Sequence, residues 1–277
     1  MRGTTLITLA VPEGVVMAAD DLVYEYELET GKATPLERGA RKVYAMGSIL
    51  IGSSNTMRCS CSGRLVSKDE PQESIDVSIE YKFEDWIVDF IRERRGATDS
   101  SPKVFADALY QRMLDTFKPV EIMLEYGGWK DYKPGDRLVN YLVAGYASNY
   151  KNLQLLEIGA EYMEGRRLRY LGPLQHETNS AWSMKQPKDV YFGEDECFLK
   201  ALDGIEPQSG VGQREASKCL ATTANLFPRM PKALRELTAN AVALVKVEAE
   251  FNPNKVGTTV NAAILDRVTK RHYLATF

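Results

Sequence analysis

Hydrophobic and polar positions near the N-terminus predict two β-hairpins. Apolar residues run through 6–11 and again through 14–19, and Pro12-Glu13 stands between the two runs. A second pair of apolar runs, 42–46 and 48–51, is hinged at Gly47. Short runs rich in valine, isoleucine and leucine that meet at a turn are typical of antiparallel strand pairs. We therefore expect sheet structure at the beginning of the chain.

Helical periodicity follows further along. Apolar residues at i, i+3, i+4 and i+7 lie on one face of an α-helix. Four such stripes are present: Phe83, Trp86, Ile87, Phe90 and Ile91; Phe105, Ala108, Leu109, Met113 and Phe117; Ala216, Cys219, Leu220, Thr223 and Phe227; and Leu237, Ala241, Leu244, Val245 and Glu248. Pro102 stands near the first turn of the second stripe, where its missing N–H does no harm. The stripes predict four helices.

The other segments complete an α+β order of strands, two helices, strands, two helices and strands. Strand character is present in 138–144, 153–158, 167–171, 190–192, 256–265 and 271–274, and residues 172–188 are loop-like. Two polar stretches interrupt the pattern, at 24–39 and 57–82, and the second predicts a surface insertion or a long loop. Such blocks favour sheet layers covered by helices, and residues 1–277 are expected to form a single domain.

Composition narrows the class of partner. The formal net charge of -3 and the pI near 5.7 provide no broad basic field for a nucleic-acid backbone or an anionic membrane. No apolar run approaches the roughly 20 residues of a membrane helix, and no signal-type segment begins the chain. We therefore expect a cytoplasmic protein that binds neither nucleic acid nor membrane.

Cysteine and histidine give no sign of a metal centre. Cys59 and Cys61 are separated by one residue, which is too few for the usual zinc pair, and no second pair answers them. Neither His176 nor His272 lies in a catalytic motif. We expect no metal and no catalytic histidine triad.

Several short segments carry a family resemblance. They are Gly3-Thr4-Thr5, GVVMAAD at 14–20, Lys42-Val43, Leu50-Ile-Gly52 and the glycine-containing segment 256–265. Together they resemble the proteasome-type N-terminal nucleophile hydrolases. In that family sixteen positions separate the threonine from the aspartate, and sixteen positions also separate Thr4 from Asp20. The resemblance implies a four-layer αββα sandwich of two antiparallel sheets flanked by helices. It also implies a peptide or protein substrate, no cofactor, and a homo-oligomer that can form a ring.

The chemistry of this family gives roles to individual residues. A threonine hydroxyl becomes a nucleophile when a base takes its proton, and the amine of the same residue serves once the preceding chain is removed. Cleavage between Gly3 and Thr4 would therefore make residues 1–3 a short propeptide. Lys42 would favour loss of the hydroxyl proton, and Asp20 would hold Lys42 in place.

A backbone N–H after the turn at Gly52 is the expected oxyanion donor. The candidates for the oxyanion or substrate site are Gly52, Ser53, Ser54 and Asn55, and the sequence does not choose among them.

The late segment departs from the family pattern. There the family supports its threonine amine with a serine and an aspartate, whereas this chain has Val256 and Pro253 at or near those positions. Asn252 and Asn254 are candidates to replace them as hydrogen-bond partners, beside Gly257. The segment between Asp20 and Lys42 is also longer than in the family.

Alternatives remain open for both the site and the function. Asp20-Asp21 also fits a solvated strand end, and Lys42 fits a basic edge with Arg38 and Arg41. The main functional hypothesis is a self-processing N-terminal threonine hydrolase that cleaves peptide bonds. The alternatives are an amidohydrolase acting on a small amide and a non-catalytic structural subunit that keeps Met1.

Overall fold

The described part of the chain contains two antiparallel five-stranded sheets, two two-stranded ribbons and four helices. The computed structural model describes residues 5–27, 32–37, 39–55, 58–66, 74–94, 101–125, 134–135, 137–147, 152–164, 167–175, 188–192, 210–251, 253–254 and 256–277. The predicted α+β class is confirmed.

The strands and helices have the following bounds. The strands are β1 (Leu6–Val11), β2 (Gly14–Asp20), β3 (Val23–Glu27), β4 (Lys32–Glu37), β5 (Val43–Met46), β6 (Ile49–Asn55), β7 (Arg58–Val66), β8 (Ser74–Lys82), β9 (Arg137–Tyr146), β10 (Leu153–Met163), β11 (Arg167–Gln175), β12 (Lys188–Phe192), β13 (Val260–Asp266) and β14 (Arg271–Thr276). The helices are α1 (Phe83–Glu93), α2 (Pro102–Glu125), α3 (Gly210–Leu226) and α4 (Lys232–Phe251).

Strand order brings the two ends of the chain together. The first sheet has the order β12-β1-β2-β13-β14, and the second has the order β11-β10-β9-β6-β5. Every neighbouring pair is antiparallel. Because β13 pairs with β2, Val260 lies opposite Asp20. The segment before β13 therefore reaches the end of β2.

Alternation along the strands divides the buried apolar residues into three clusters. On β1, Leu6 belongs to a cluster between the sheets, whereas Ile7 belongs to a cluster shared with α3 and α4. On β6, Leu50 joins the cluster between the sheets, whereas Ile49 and Ile51 join a cluster shared with α1 and α2. Since successive side chains of a strand point to opposite faces, each sheet packs on the other sheet and on a pair of helices.

The helix stripes point inward as predicted. On α1, Phe83, Ile87 and Phe90 are buried, while Asp85 and Asp89 on the opposite face are exposed. Burial of such aromatic and aliphatic side chains contributes about 1.5–3 kcal/mol each. The apolar face therefore holds the helix on the second sheet.

Gly52 permits a close approach of the two sheets. A Cβ at this position would lie 2.6 Å from the Met17 sulfur and 2.8 Å from the Leu6 methyl carbons. Both neighbours belong to the first sheet, so a side chain at residue 52 would displace the ends of the Met17 and Leu6 side chains. The missing side chain lets these two residues fill the layer between the sheets.

The structure bears out the two predicted hairpins and corrects two loop predictions. β1 pairs with β2 and β5 with β6. Residues 58–66 and 74–82 form a β-ribbon, so the long-loop interpretation of 57–82 was wrong. The segment forms a strand because its apolar residues alternate with polar ones, as they do at Ile75, Val77, Ile79 and Tyr81. This period of two predicts a strand even though the overall composition is polar. Position as a surface insertion stays a prediction, as does the single domain.

Other boundaries shift. The polar stretch 24–39 contains β3 and β4, which pair with each other. Residues 172–175, predicted to be loop, continue β11, and most of the predicted loop lies outside the described residues. The last strand pair begins at Val260 rather than at Val256, because residues 256–259 turn toward the end of β2.

We expect Gly52→Ala to lower the free energy of unfolding by about 1–3 kcal/mol, because the added methyl group overpacks the layer between the sheets. Urea denaturation followed by circular dichroism measures the loss. In the double variant Gly52→Ala/Met17→Ala the methyl group has room, so the combined loss is expected to be smaller than the sum of the single losses. Strict additivity would contradict the contact between residues 52 and 17.

Candidate active site

A buried ion pair joins the end of β2 to the residue before β5. The Lys42 ammonium lies 2.9 Å from Asp20 Oδ2, and both side chains are fully buried. Lys42 Nζ also donates to the Leu22 carbonyl over 2.7 Å. The predicted pairing of these two residues is thus present, and the solvated and basic-edge alternatives are wrong for Asp20 and Lys42.

The Asp20 carboxylate accepts three further hydrogen bonds from the backbone. Oδ1 accepts from the Thr5 N–H at 3.0 Å, and Oδ2 accepts from Leu22 at 3.0 Å and from Gly257 at 3.2 Å. Donors of this kind stabilise a charged carboxylate that has lost its water. One side chain therefore fixes the start of β1, the exit from β2 and the approach to β13.

Asp21 supports the segment that carries Lys42. Its Oδ2 accepts from the Gly39 N–H at 2.9 Å, and its backbone carbonyl accepts from the Ala40 N–H at 3.1 Å. Its Oδ1 is buried and has no hydrogen-bond partner within the described part of the chain. Asp21 thus adds a second carboxylate to the surroundings of Lys42.

At position 257 any residue other than glycine would force the neighbouring atoms to move. A Cβ there would lie 2.1 Å from Asp21 Oδ1 and 2.9 Å from the Leu22 nitrogen. The absence of a side chain lets the backbone reach Asp20, so the glycine of the late segment has a local structural purpose.

Burial lowers the pKa of Lys42 from its ordinary value. The cause is desolvation, which disfavours the ammonium; the charge and hydrogen bond of Asp20 oppose it, and the charge of Asp21 opposes it further. The two carboxylates thus favour the charged form of an amine whose charge burial disfavours. A positive charge at Lys42 would stabilise negative charge on a nearby oxygen.

Other predicted residues are placed less completely. Gly3, Thr4 and Asn252 lie outside the described residues. Asn254 is exposed in a turn, whereas Val256 is buried and joins the cluster with α4. Among the predicted catalytic residues, the described part of the chain therefore shows Asp20 and Lys42.

The four oxyanion candidates differ in the direction of their N–H groups. The Ser53 N–H donates to the Lys42 carbonyl at 3.0 Å. Successive N–H groups of a strand point to opposite edges, so those of Gly52 and Ser54 point toward β9. The N–H of Asn55 points to the same edge of β6 as the N–H of Ser53. At Asn55, β6 has already passed the first residue of β5, Val43.

Several contributors were missed by reasoning from the sequence. The N–H groups of Thr5 and Gly257 and the carbonyl of Leu22 carry no signal in side-chain chemistry, because every residue offers them. The position of Asp21 directly after Asp20 could have indicated a second buried carboxylate. Adjacent acidic residues are more often exposed, however, so the sequence favoured the opposite interpretation.

Neither a protein-family model nor a curated protein matches this chain. Among the described residues, no three histidine, cysteine, aspartate or glutamate side chains come together as metal ligands. No helix in the described ranges has the length and apolar character needed to cross a membrane.

We expect Lys42→Met to lower the free energy of unfolding by about 3–5 kcal/mol, because Asp20 then stays buried without its counter-charge. Chemical denaturation at neutral pH measures this loss. The double variant Lys42→Met/Asp20→Asn leaves neither charge and is expected to lose less than the sum of the single variants.

Arg112→Met serves as the matched control for this measurement. It breaks an exposed ion pair with Glu93, in which the charged atoms lie 3.3 Å apart. Such pairs contribute about 0–1 kcal/mol. Equal losses for Lys42→Met and Arg112→Met would show that the buried pair has no special weight.

Proposed function

We propose that this chain is a self-processing N-terminal threonine hydrolase that cleaves peptide bonds, with Thr4 as its nucleophile. The observation that carries the proposal is the double use of Asp20. Its carboxylate binds the Lys42 ammonium and also the N–H of Thr5, the residue that is peptide-bonded to Thr4. A positive charge is thereby held beside the chain position where the proposed nucleophile begins.

Self-processing uses the Thr4 hydroxyl on the preceding peptide bond. The oxygen attacks the Gly3 carbonyl carbon, the bond from that carbon to the Thr4 nitrogen breaks, and the nitrogen takes up the proton that the hydroxyl lost. Water then hydrolyses the resulting ester and releases Met-Arg-Gly as a free acid. The products are a free Thr4 amine and a restored Thr4 hydroxyl.

Substrate hydrolysis repeats this chemistry with the amine as the base. The amine takes the hydroxyl proton, the oxygen attacks the substrate carbonyl, and the proton passes to the leaving amine of the cleaved bond. Lys42 stabilises the negative charge that develops on the attacking oxygen. The N–H of Asn55 is the proposed oxyanion donor, because it points to the edge occupied by Lys42.

The fold supports the same family of reactions. Two packed antiparallel sheets with a helix pair outside each are what the αββα sandwich of N-terminal nucleophile hydrolases requires. We include in the proposal a peptide or protein substrate and a homo-oligomer that can form a ring, as the resemblance implies. The cytoplasmic location expected from the composition is also part of it.

One observation favours a second candidate, a non-catalytic structural subunit. Val256 is buried in an apolar cluster at the position where the family has a serine beside the amine. An amine without that support is a poorer base. The subunit would then keep residues 1–3 and use the sandwich for assembly.

We expect wild-type protein purified from its own host to lose residues 1–3, whereas Thr4→Val keeps them, because valine has the shape of threonine without the hydroxyl. Intact-mass measurement with N-terminal sequencing distinguishes the two forms. Thr8→Val is the matched control, since Thr8 is a buried threonine of the same segment and its hydroxyl has no partner in the described ranges. An uncut wild type would favour the structural subunit.

We expect kcat/KM to depend on pH in a bell shape. The acid limb reports the Thr4 amine, whose ordinary pKa is about 8, because only the neutral amine accepts a proton. The alkaline limb reports Lys42, whose lowered pKa places the limb below 10.5.

The same profile tests the partner of Lys42. Since Asp20 raises the pKa of Lys42 against desolvation, Asp20→Asn is expected to move the alkaline limb to lower pH and to reduce the maximum rate. Glu93→Gln, on the surface of α1, is expected to leave the profile unchanged. An alkaline limb that is insensitive to Asp20→Asn would remove Lys42 from the mechanism.

A further inference from the structure

One end of the first sheet lies far from the ion pair of the candidate active site. Gly14, Asp266 and Arg271 lie opposite one another at this end, across β2, β13 and β14. Asp20 lies opposite Val260 at the other end of β2. The strand that separates the two ends has seven residues, which is a length of about 20 Å. A function of the Gly14 end is therefore separate from the chemistry proposed for Lys42.

The connection between α3 and α4 packs against this end. The ring centre of Phe227, which follows α3, lies 5.1 Å from the ring centre of Tyr273 on β14. Arg229 lies two residues after Phe227, and Arg271 lies two residues before Tyr273 on the same face of β14. Both arginines are exposed. The contact between the two rings therefore brings Arg229 and Arg271 to the same surface.

Two further arginines belong to the same end. Arg235 directly follows Leu234, whose methyl carbons would lie 3.1 Å from a Cβ at Gly14. Arg267 lies in the turn after β13, and its backbone N–H donates to the Glu13 carbonyl at 2.8 Å. Both arginines are half-buried. The basic end is the name used below for the surface formed by Arg229, Arg235, Arg267 and Arg271.

The four arginines of the basic end have no ion-pair partner in the described ranges of the chain. Arginines of the helices on the second sheet differ in this respect. Arg92 lies 2.8 Å from Asp89, and Arg112 lies 3.3 Å from Glu93. A guanidinium presents its N–H donors in a planar fork that matches a carboxylate. The basic end therefore holds several such forks that are open to an anion from outside the described chain.

Apolar side chains are exposed among these arginines. Val268 is 65% exposed and Leu226 is 50% exposed. Val268 directly follows Arg267 in a turn that Asp266 fixes, because Asp266 Oδ1 accepts from the N–H groups of Val268 at 2.8 Å and of Thr269 at 3.0 Å. Asp266 itself is fully buried. The turn thus presents Val268 to solvent from a rigid base.

These features fit a protein partner better than a nucleic acid or a lipid surface. Arginine is enriched and lysine is depleted at protein interfaces, and four arginines stand here beside Lys232 and Lys270. Single-stranded nucleic acid stacks its bases on open aromatic rings, whereas Phe227 and Tyr273 pack on each other. Glu236, which lies 3.6 Å from Lys232, would repel a continuous anionic surface. The separate carboxylates of a polypeptide avoid this repulsion.

We propose that the basic end is a docking surface for an acidic polypeptide segment of another protein, in which glutamate or aspartate residues flank an aliphatic side chain. Carboxylates of the segment accept from the guanidinium groups, and such charge-assisted bonds are stronger than neutral ones. The aliphatic side chain packs on Val268. This interaction goes beyond the proposed hydrolase function and does not depend on it.

Fluorescence anisotropy with labelled peptides tests the docking surface. One probe repeats Glu-Glu-Leu three times, and a second probe has glutamine in place of every glutamate. The full-length chain carries Thr4→Val, so that neither probe can be consumed by the proposed nucleophile. At low ionic strength the glutamate probe is expected to bind about tenfold more tightly than the glutamine probe. Arg229→Gln/Arg271→Gln, at two exposed positions, is expected to remove this preference.

Arg92→Gln/Arg112→Gln is the matched control. It removes the same number of positive charges from arginines of α1 and α2 that have carboxylate partners. The preference for the glutamate probe is expected to stay at its original value in this variant. Equal loss in both double variants would reveal a general effect of net charge and would overturn the proposal. The absence of a preference in the starting protein would overturn it as well.

Val268→Ser tests the apolar part of the surface. This variant is expected to weaken binding of the glutamate probe about threefold, while binding of a matching probe with serine in place of leucine stays unchanged. Single-stranded oligothymidine and phosphatidylserine vesicles complete the set of probes. Tighter binding of either one than of the glutamate probe would refute a polypeptide partner. Since none of these measurements requires peptide cleavage, failure of the hydrolase proposal leaves their result unaffected.

Discussion

The buried pair of Lys42 and Asp20 is the constraint on which the rest of this structure depends. An ammonium and a carboxylate without water lose solvation that their mutual attraction alone need not restore. Here the carboxylate also receives three backbone N–H groups, and the ammonium reaches a carbonyl. The cost of burial is therefore offset by hydrogen bonds that also determine where three separate pieces of backbone lie.

The middle of the layer between the sheets differs from the edge of that layer beside the ion pair. The middle is packed with apolar side chains, and the ends of Met17 and Leu6 fill the space beside Gly52. The edge beside the ion pair is lined by Ser54, Asn140 and Gly159, where side chains are small or polar. Such an edge contributes less to stability than an apolar edge would, and natural proteins commonly accept such a loss at functional sites.

Much of the secondary structure could be predicted from the sequence, because apolar residues recur every two positions in the strands and about every 3.6 positions in the helices. The first hairpin and the stripe of α1 are examples. The ribbon of β7 and β8 was missed because its alternation lies in a polar segment. Pairing of Asp20 with Lys42 was expected from a resemblance and from charge, whereas its backbone partners are invisible to any reading of side chains. The basic end depends on strand register and helix packing across distant segments, which local patterns do not contain.

The hydrogen bond from Gly257 to Asp20 spans 237 positions of the chain and so connects the site to the order of synthesis. A growing chain has made residues 4–42 long before the strand that follows residue 257 is available to pair with β2. The carboxylate gains this donor only after residue 257 has left the ribosome. Any chemistry that depends on the complete arrangement, the proposed self-processing included, would therefore start only after the early and late segments have folded together.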